Sequence, residues 1–148
     1  MANKGQLTGM TGTFLVAAQL SSRGLVASMT SRGAEGADIL VTDSECKIAC
    51  SIQVKTNSKS SKWWILGNKK PSKGSKTHIF AFVNLIRNES GDVSAEYYLV
   101  PSTVVQKIAI QAYEDDPKAG ANKKWKPFVI SRESLNKYHN KWDLLTSR

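Results

Sequence analysis

The spacing of apolar and polar residues changes along the chain, and each change marks an element. Over residues 11–22, Phe14, Ala17, Ala18 and Ser21 recur at three-and-four spacing, with Met10 and Leu20 alongside, which predicts a helix. Thr8 or Thr11 can cap its start, and Gly24 suits a left-handed stop. A short strand is expected over residues 25–29 and a turn over residues 31–36. Residues 37–42 and 48–56, joined by a polar link around Ser44 and Glu45, carry a hairpin signal. Residues 57–76 are rich in Ser, Lys and Gly and read as a loop interrupted by Trp63-Trp64-Ile65-Leu66. Adjacent tryptophans on extended chain face opposite ways, so one is expected in the core and the other partly exposed. Residues 77–86 and 96–100 predict two more strands, turned at residues 88–92. Pro101 fits the first turn of a helix running to about residue 113, with Ser102 or Thr103 near its start. A polar loop over residues 114–126 then leads to a last helix over residues 131–140, capped by Ser131, with Glu133 near its positive end. The expected fold is α/β, a mixed central sheet flanked by helices.

The hairpin pattern goes further. With a four-residue loop from Ser44 to Lys47, Asp43 pairs with Ile48, and the same register sets Asp38 opposite Gln53. Their Cβ atoms are then expected roughly 4.5–5.5 Å apart. Lys55, one pleat beyond Gln53, shares its face. That face reads Asp38, Leu40, Thr42, Ala49, Ser51, Gln53 and Lys55; the other reads Ile39, Val41, Cys50, Ile52 and Val54, which is apolar throughout and belongs in a core. A slip of one residue would scramble the division.

At 148 residues the chain has the length of one domain, expected to span residues 1–148. No apolar run approaches the roughly 18–20 residues of a membrane span, and the N-terminus has no signal-peptide pattern. Cys46 and Cys50 are too few for a disulfide framework and lack zinc-site spacing, so reduced thiols and a cytoplasmic location are expected. Charge alters the picture more. The net charge is +9, and residues 46–88 hold nine cations and no acid, while the rest of the chain balances twelve against twelve. Such a concentration predicts a polyanionic partner, nucleic acid above all; the plainer alternative is a solvated lysine-rich loop.

Asp38 supplies a hard anionic oxygen and Gln53 a neutral carbonyl oxygen. With the Val54 carbonyl and waters they suit Mg²⁺ (or Mn²⁺), which takes one or two carboxylates and keeps several waters. Such an ion activates water and stabilises charge on phosphate, and the Lys55 ammonium can assist. Asp38, Gln53 and Lys55 are therefore the candidate catalytic residues, with Asp38 and Gln53 as metal ligands. The plain alternative is an exposed hairpin end with these residues placed by chance. Lys59, Lys62, Lys69, Lys70, Lys73 and Lys76 are the candidate phosphate-backbone contacts, and Trp63 or Trp64 could stack on unpaired bases. His78 and His139 have no metal-ligand spacing and read as ordinary, and no P-loop, dinucleotide fingerprint or GxSxG is present.

A Gly-rich turn and helix, then Ala37-Asp38-Ile39-Leu40-Val41, then Ile52-Gln53-Val54-Lys55-Thr56, resembles the PD-(D/E)XK, or restriction-endonuclease-like, superfamily, in particular small bacterial members with a QVKT half-motif. The resemblance continues through Trp63-Trp64-Ile65-Leu66, Phe80-Ala81-Phe82-Val83, Tyr97-Tyr98-Leu99-Val100-Pro101-Ser102 and Trp142-Asp143-Leu144-Leu145. It implies a restriction-endonuclease-like αβββαβ core, a metal-dependent nuclease, Asp38 as the metal-binding aspartate, Gln53 at a position more often Glu or Asp, and Lys55 as the motif lysine. It also implies a Glu on the first helix after a Gly, but the matching pair is Gly12-Thr13. Gln19 is a poor substitute, and Glu35 could compensate in part. A nuclease acting on nucleic acid, with DNA the favoured partner and a homodimer possible, is thus one expectation. A non-catalytic nucleic-acid-binding or protein-binding module on the same fold is the other.

Overall fold

The computed structural model describes residues 1–31, 36–58, 61–116 and 126–146. Glu35 and Lys59 lie outside the described residues, as do most of the turn at 31–36 and of the loop at 114–126.

Helix α1 (Lys4–Ser21) starts a turn or two earlier than its apolar spacing predicts. The reason is a reciprocal cap: the Asn3 side chain accepts from the Gln6 amide while the Gln6 side chain accepts from the Asn3 amide. The chain leaves the helix through Gly24, at φ 80°. The buried face is Gly12, Val16 and Leu20, not the Phe14–Ala17–Ala18–Ser21 row; Phe14 is 55% exposed. Spacing alone could not choose between two weakly apolar stripes on a helix so rich in small residues. Gly12 decides it, because a Cβ there would lie 1.9 Å from the Thr56 Oγ1. Only a bare backbone lets α1 sit so close to the sheet.

The sheet runs β1 (Val26–Met29), β2 (Ile39–Thr42), β3 (Ala49–Asn57), then β5 (His78–Arg87) and β6 (Val93–Pro101), in the order β1-β2-β3-β5-β6. All neighbours are antiparallel except β3 and β5. A parallel pair needs a long crossover, and here it is the lysine-rich segment between Asn57 and His78. That crossover carries β4 (Trp63–Gly67), which pairs with β7 (Phe128–Ser131) as a separate two-stranded ribbon. Helix α2 (Ser102–Glu114) follows β6; a 3-10 helix (Glu133–Tyr138) and the short α3 (Asp143–Thr146) close the chain. The expected last helix is therefore a 3-10 segment, and its N-cap is Arg132 and not Ser131, whose hydroxyl accepts the Ser134 amide at 3.2 Å from one position earlier.

Two cores lie on the two faces of the sheet. On the α1 side Val16, Leu20, Ile39, Val41, Cys50, Ile52, Ile79, Leu99, Trp142 and Leu145 pack together. On the other, Trp64, Phe82, Tyr98, Val100, Val105, Ile130 and Leu135 join α2 and the ribbon to β5 and β6. Each fully buried side chain of this size contributes about 1.5–3 kcal/mol. The tryptophans divide as extended chain requires, Trp64 1% exposed and Trp63 52%. No helix among the described residues is long and apolar enough to cross a membrane.

Candidate nucleic-acid-processing site

The hairpin register is the one the sequence predicts: Ile39 pairs with Ile52, Leu40 with Ser51, Val41 with Cys50 and Thr42 with Ala49. Ile39, Val41, Cys50 and Ile52 are buried under α1, with Val54 packed against them. Ser51, Gln53 and Lys55 project from the opposite face.

Asp38 departs from this alternation. It stands just outside β2, so the pleat does not dictate its direction. Its amide donates to the Ile52 carbonyl at 2.8 Å, and its Oδ2 accepts the Val54 amide at 2.7 Å. Past Ile52, β3 has no strand beside it on that edge, and the Asp38 carboxylate takes the next edge donor in place of a strand. It thereby grips the backbone on both sides of Gln53. Its side chain lines a cavity of about 500 Å³ beneath α1, with Gln6, Met10, Thr13, Thr30 and Val54. Gln53 and Lys55 line a different cavity, of about 470 Å³, between β3, the crossover and α2. The flat-strand expectation of one shared face is thus corrected for Asp38, which sits at the edge between two hollows.

The two sides still communicate electrostatically. Burial pushes the Lys55 ammonium below the usual lysine range, and the charge of Asp38 pulls it part of the way back. His78 behaves alike: burial lowers its imidazole, while a bond to the Ser51 backbone and the charge of Asp38 oppose that. Among the described residues lining the Lys55 cavity the charged side chains are Lys55, Lys69 and Lys73, with no acid. The wall is held by Ser75 and Ser102: the Ser75 amide donates to the Ser102 Oγ at 2.8 Å, and that hydroxyl donates to the Ser75 carbonyl at 3.0 Å. Of the other candidate phosphate-binding lysines, Lys62, Lys70 and Lys76 are exposed on the crossover outside the cavity.

Thr13, where the resemblance implies a carboxylate, does line the Asp38 cavity, but its hydroxyl donates to the Gly9 carbonyl at 3.0 Å. Gln19 is at the far end of α1, bound to Arg23 at 2.7 Å. Among the described residues no three His, Cys, Asp or Glu side chains gather as a metal-binding group. The Asp38 carboxylate is a hard oxygen donor of the kind a hydrated divalent ion such as Mg²⁺ accepts.

Sequence reasoning passes over Ser51 and His78. They pair across the parallel strands, with the Ser51 Oγ 2.7 Å from the His78 Nδ1, in the cavity of Gln53 and Lys55. Nothing in the sequence shows that β3 and β5 are neighbours, so this meeting is not legible there.

No protein-family model matches the sequence, and no curated protein matches it. Among solved structures, a bacterial homing endonuclease, I-Ssp6803I, matches over 99% of this chain and 94% of its own, with a TM-score of 0.52 and 14% identity. At that identity the likeness concerns the fold alone: a mixed α/β architecture with a five-stranded mixed sheet flanked by helices.

Proposed function

We propose that this protein is a metal-dependent nuclease of the PD-(D/E)XK kind, hydrolysing phosphodiester bonds in nucleic acid, with DNA the favoured substrate. The observation that carries the reading is Asp38 fastened to the backbone beside Gln53, acting electrostatically on a half-buried Lys55 in a hollow lined by lysines. Asp38 and the Val54 carbonyl, at the edge between the two hollows, would hold Mg²⁺ or Mn²⁺, and Gln53, which lines the neighbouring cavity, would complete the set by turning its side-chain oxygen toward that edge. When bound, the ion supplies charge stabilisation on phosphate and lowers the pKa of water. Lys55 would donate to a phosphate oxygen and offset charge on the phosphorus. Lys69 and Lys73 hold the strand in the hollow, and Trp63, exposed on the ribbon, offers a stacking face. The likeness to a homing endonuclease supports the reading at the level of fold.

The test is incubation of purified protein with plasmid and single-stranded DNA, with and without Mn²⁺. Ion-dependent cleavage that Lys55→Ala removes is expected; cleavage untouched by that substitution would reject the assignment.

A second reading, a nucleic-acid-binding module without chemistry, is favoured by Thr13, which leaves the Asp38 hollow with a hydroxyl instead of a second carboxylate. Thr13→Glu separates the two. If a carboxylate is all that is missing, the variant binds Mn²⁺ about tenfold or more tightly by titration calorimetry and cleaves faster than the parent. Parent cleavage already at full rate with no gain in the variant would show that Thr13 is not a deficiency.

Both readings require salt-sensitive binding. On duplex DNA the slope of log K against log salt falls by about 0.9 for every phosphate the protein no longer neutralises. Replacing Lys69, Lys70, Lys73 and Lys76 by Gln is therefore expected to flatten the slope by about 2–4, measured by fluorescence anisotropy. An unchanged slope would remove the crossover from the interface.

A further inference from the structure

We propose that His78, held by Ser51, forms a second phosphate-binding position in the Lys55 cavity, taking a phosphate beside the one acted on. The inference rests on the nucleic-acid-processing reading above and adds a residue pair to it.

His78 opens β5 and Ser51 opens the matching stretch of β3, in parallel register on the face that carries Gln53 and Lys55. The imidazole is fixed from two directions: its Nδ1 meets the Ser51 Oγ at 2.7 Å, and its edge packs on Phe80 with ring centroids 5.3 Å apart. Phe80 pairs with Gln53, so the ring cannot swing along the strand without disturbing that row. With Nδ1 engaged by Ser51, a phosphate would be taken by Nε2. A held imidazole that lines a hollow is what an oriented donor to an anion requires.

Position and charge point to phosphate. Along β3, Ser51 is one pleat from Gln53, about 7 Å, and two pleats from Lys55, about 13 Å. Lys55 and His78 are rooted two pleats apart, so neighbouring phosphates of one strand can meet them separately. The titratable groups facing His78 are few. Lys55 on β3 and Lys69 and Lys73 on the crossover line the same cavity, and Asp38 acts on it from the edge of β2. Helix α2 contributes Ser102, Val105 and Gln106, none of which titrates. An anion in the hollow therefore meets three lysines and restores the proton that burial takes from His78. Lys69 and Lys73 alone would attract a backbone without orienting it; the Ser51–His78 pair fixes where a phosphate stops.

Binding and protonation at such a position are linked, so affinity must rise as pH falls through the titration of His78. The test measures oligonucleotide affinity by anisotropy at constant salt between about pH 5.5 and 8, without added divalent ion. The wild-type protein is expected to bind about tenfold more tightly at the acid end. His78→Gln should bind about tenfold more weakly there and lose the pH dependence. Ser51→Ala should keep the pH dependence with a smaller loss. The chain has two histidines, and His139, packed on Tyr98 away from this cavity, is the control: His139→Gln should behave as wild type. NMR titration of the two imidazoles supplies a second readout that does not depend on a variant. An upward shift of His78 with oligonucleotide and with inorganic phosphate supports a general phosphate site, and a shift with oligonucleotide alone supports one that needs the strand. A His78 signal that neither moves, or a His78→Gln protein with wild-type affinity and pH dependence, overturns the inference while cleavage and salt-sensitive binding stand. Absence of any nucleic-acid binding by the wild-type protein overturns both the inference and the reading beneath it.

Discussion

Asp38→Asn is expected to abolish ion-dependent cleavage while leaving the fold intact. The amide keeps an oxygen that can accept the Val54 N–H, now 2.7 Å from Oδ2, so the grip on β3 survives. What disappears is the one carboxylate on which an ion at this site would depend. A loss of about 10²–10³ in rate is expected, the scale seen when a preorganised electrostatic group is removed. Asp38→Ala separates the two roles, because it leaves the Val54 amide without its partner and costs about 1–3 kcal/mol of stability as well. Lys55→Met completes the set. Its folded pKa is lowered, so the folded state binds its proton less well than the unfolded chain does. Below the folded pKa both states are protonated and the cost of burying the charge is fully present; it fades only as pH rises toward the ordinary lysine range. Near neutrality Lys55→Met should therefore raise the melting temperature while cleavage is lost. Cleavage that persists in Asp38→Asn, or a fall in melting temperature for Lys55→Met, would contradict this account of the site.

Gly12→Ala is expected to be the most damaging of the small substitutions. A Cβ at Gly12 would lie 1.9 Å from the Oγ1, 2.8 Å from the Cγ2 and 2.9 Å from the Cβ of Thr56. Thr56 has a single hydrogen on its Cβ, so rotating it clears at most one of the first two clashes and leaves the third, and α1 must move away from β3. Overpacking of this kind costs about 1–3 kcal/mol, and Asp38 would feel it through the cavity that Gly9, Met10 and Thr13 share with it. Gly9→Ala, in the same helix with nothing beyond its own turn of backbone within 4 Å of the added methyl, is the opposite case and should stabilise by about 0.4–1 kcal/mol. Thr56→Ala in the Gly12→Ala background should recover part of the loss. Thermal unfolding of the four proteins measures all of this, and equal effects of the two alanines would show that the close approach of α1 to β3 is not what Gly12 protects.

How much of this is legible in the sequence varies by element. The hairpin is legible because its two faces differ so completely that only one register keeps Ile39, Val41, Cys50 and Ile52 together. The split between Trp63 and Trp64 follows from strand alternation alone. The buried stripe of α1 is not legible, because Ala, Gly and Thr leave little contrast between stripes, and the choice falls to the approach to Thr56. Strand β7 escapes a sequence reading because four residues carry no period of their own; they become a strand by pairing with β4.

Local patterning by itself determined which residues of the hairpin share a face, that α2 follows Pro101, and that the cations gather in one segment, because these depend on neighbours within a few positions. Only the folded chain decided that β3 lies beside β5, that the cationic crossover is laid against Gln53 and Lys55, that Ser51 meets His78, and that Asp38 turns to the Val54 amide. Those outcomes depend on which distant edges find each other and which backbone donors are left over. A parallel pairing across a long crossover leaves no short-range trace from which either could be read.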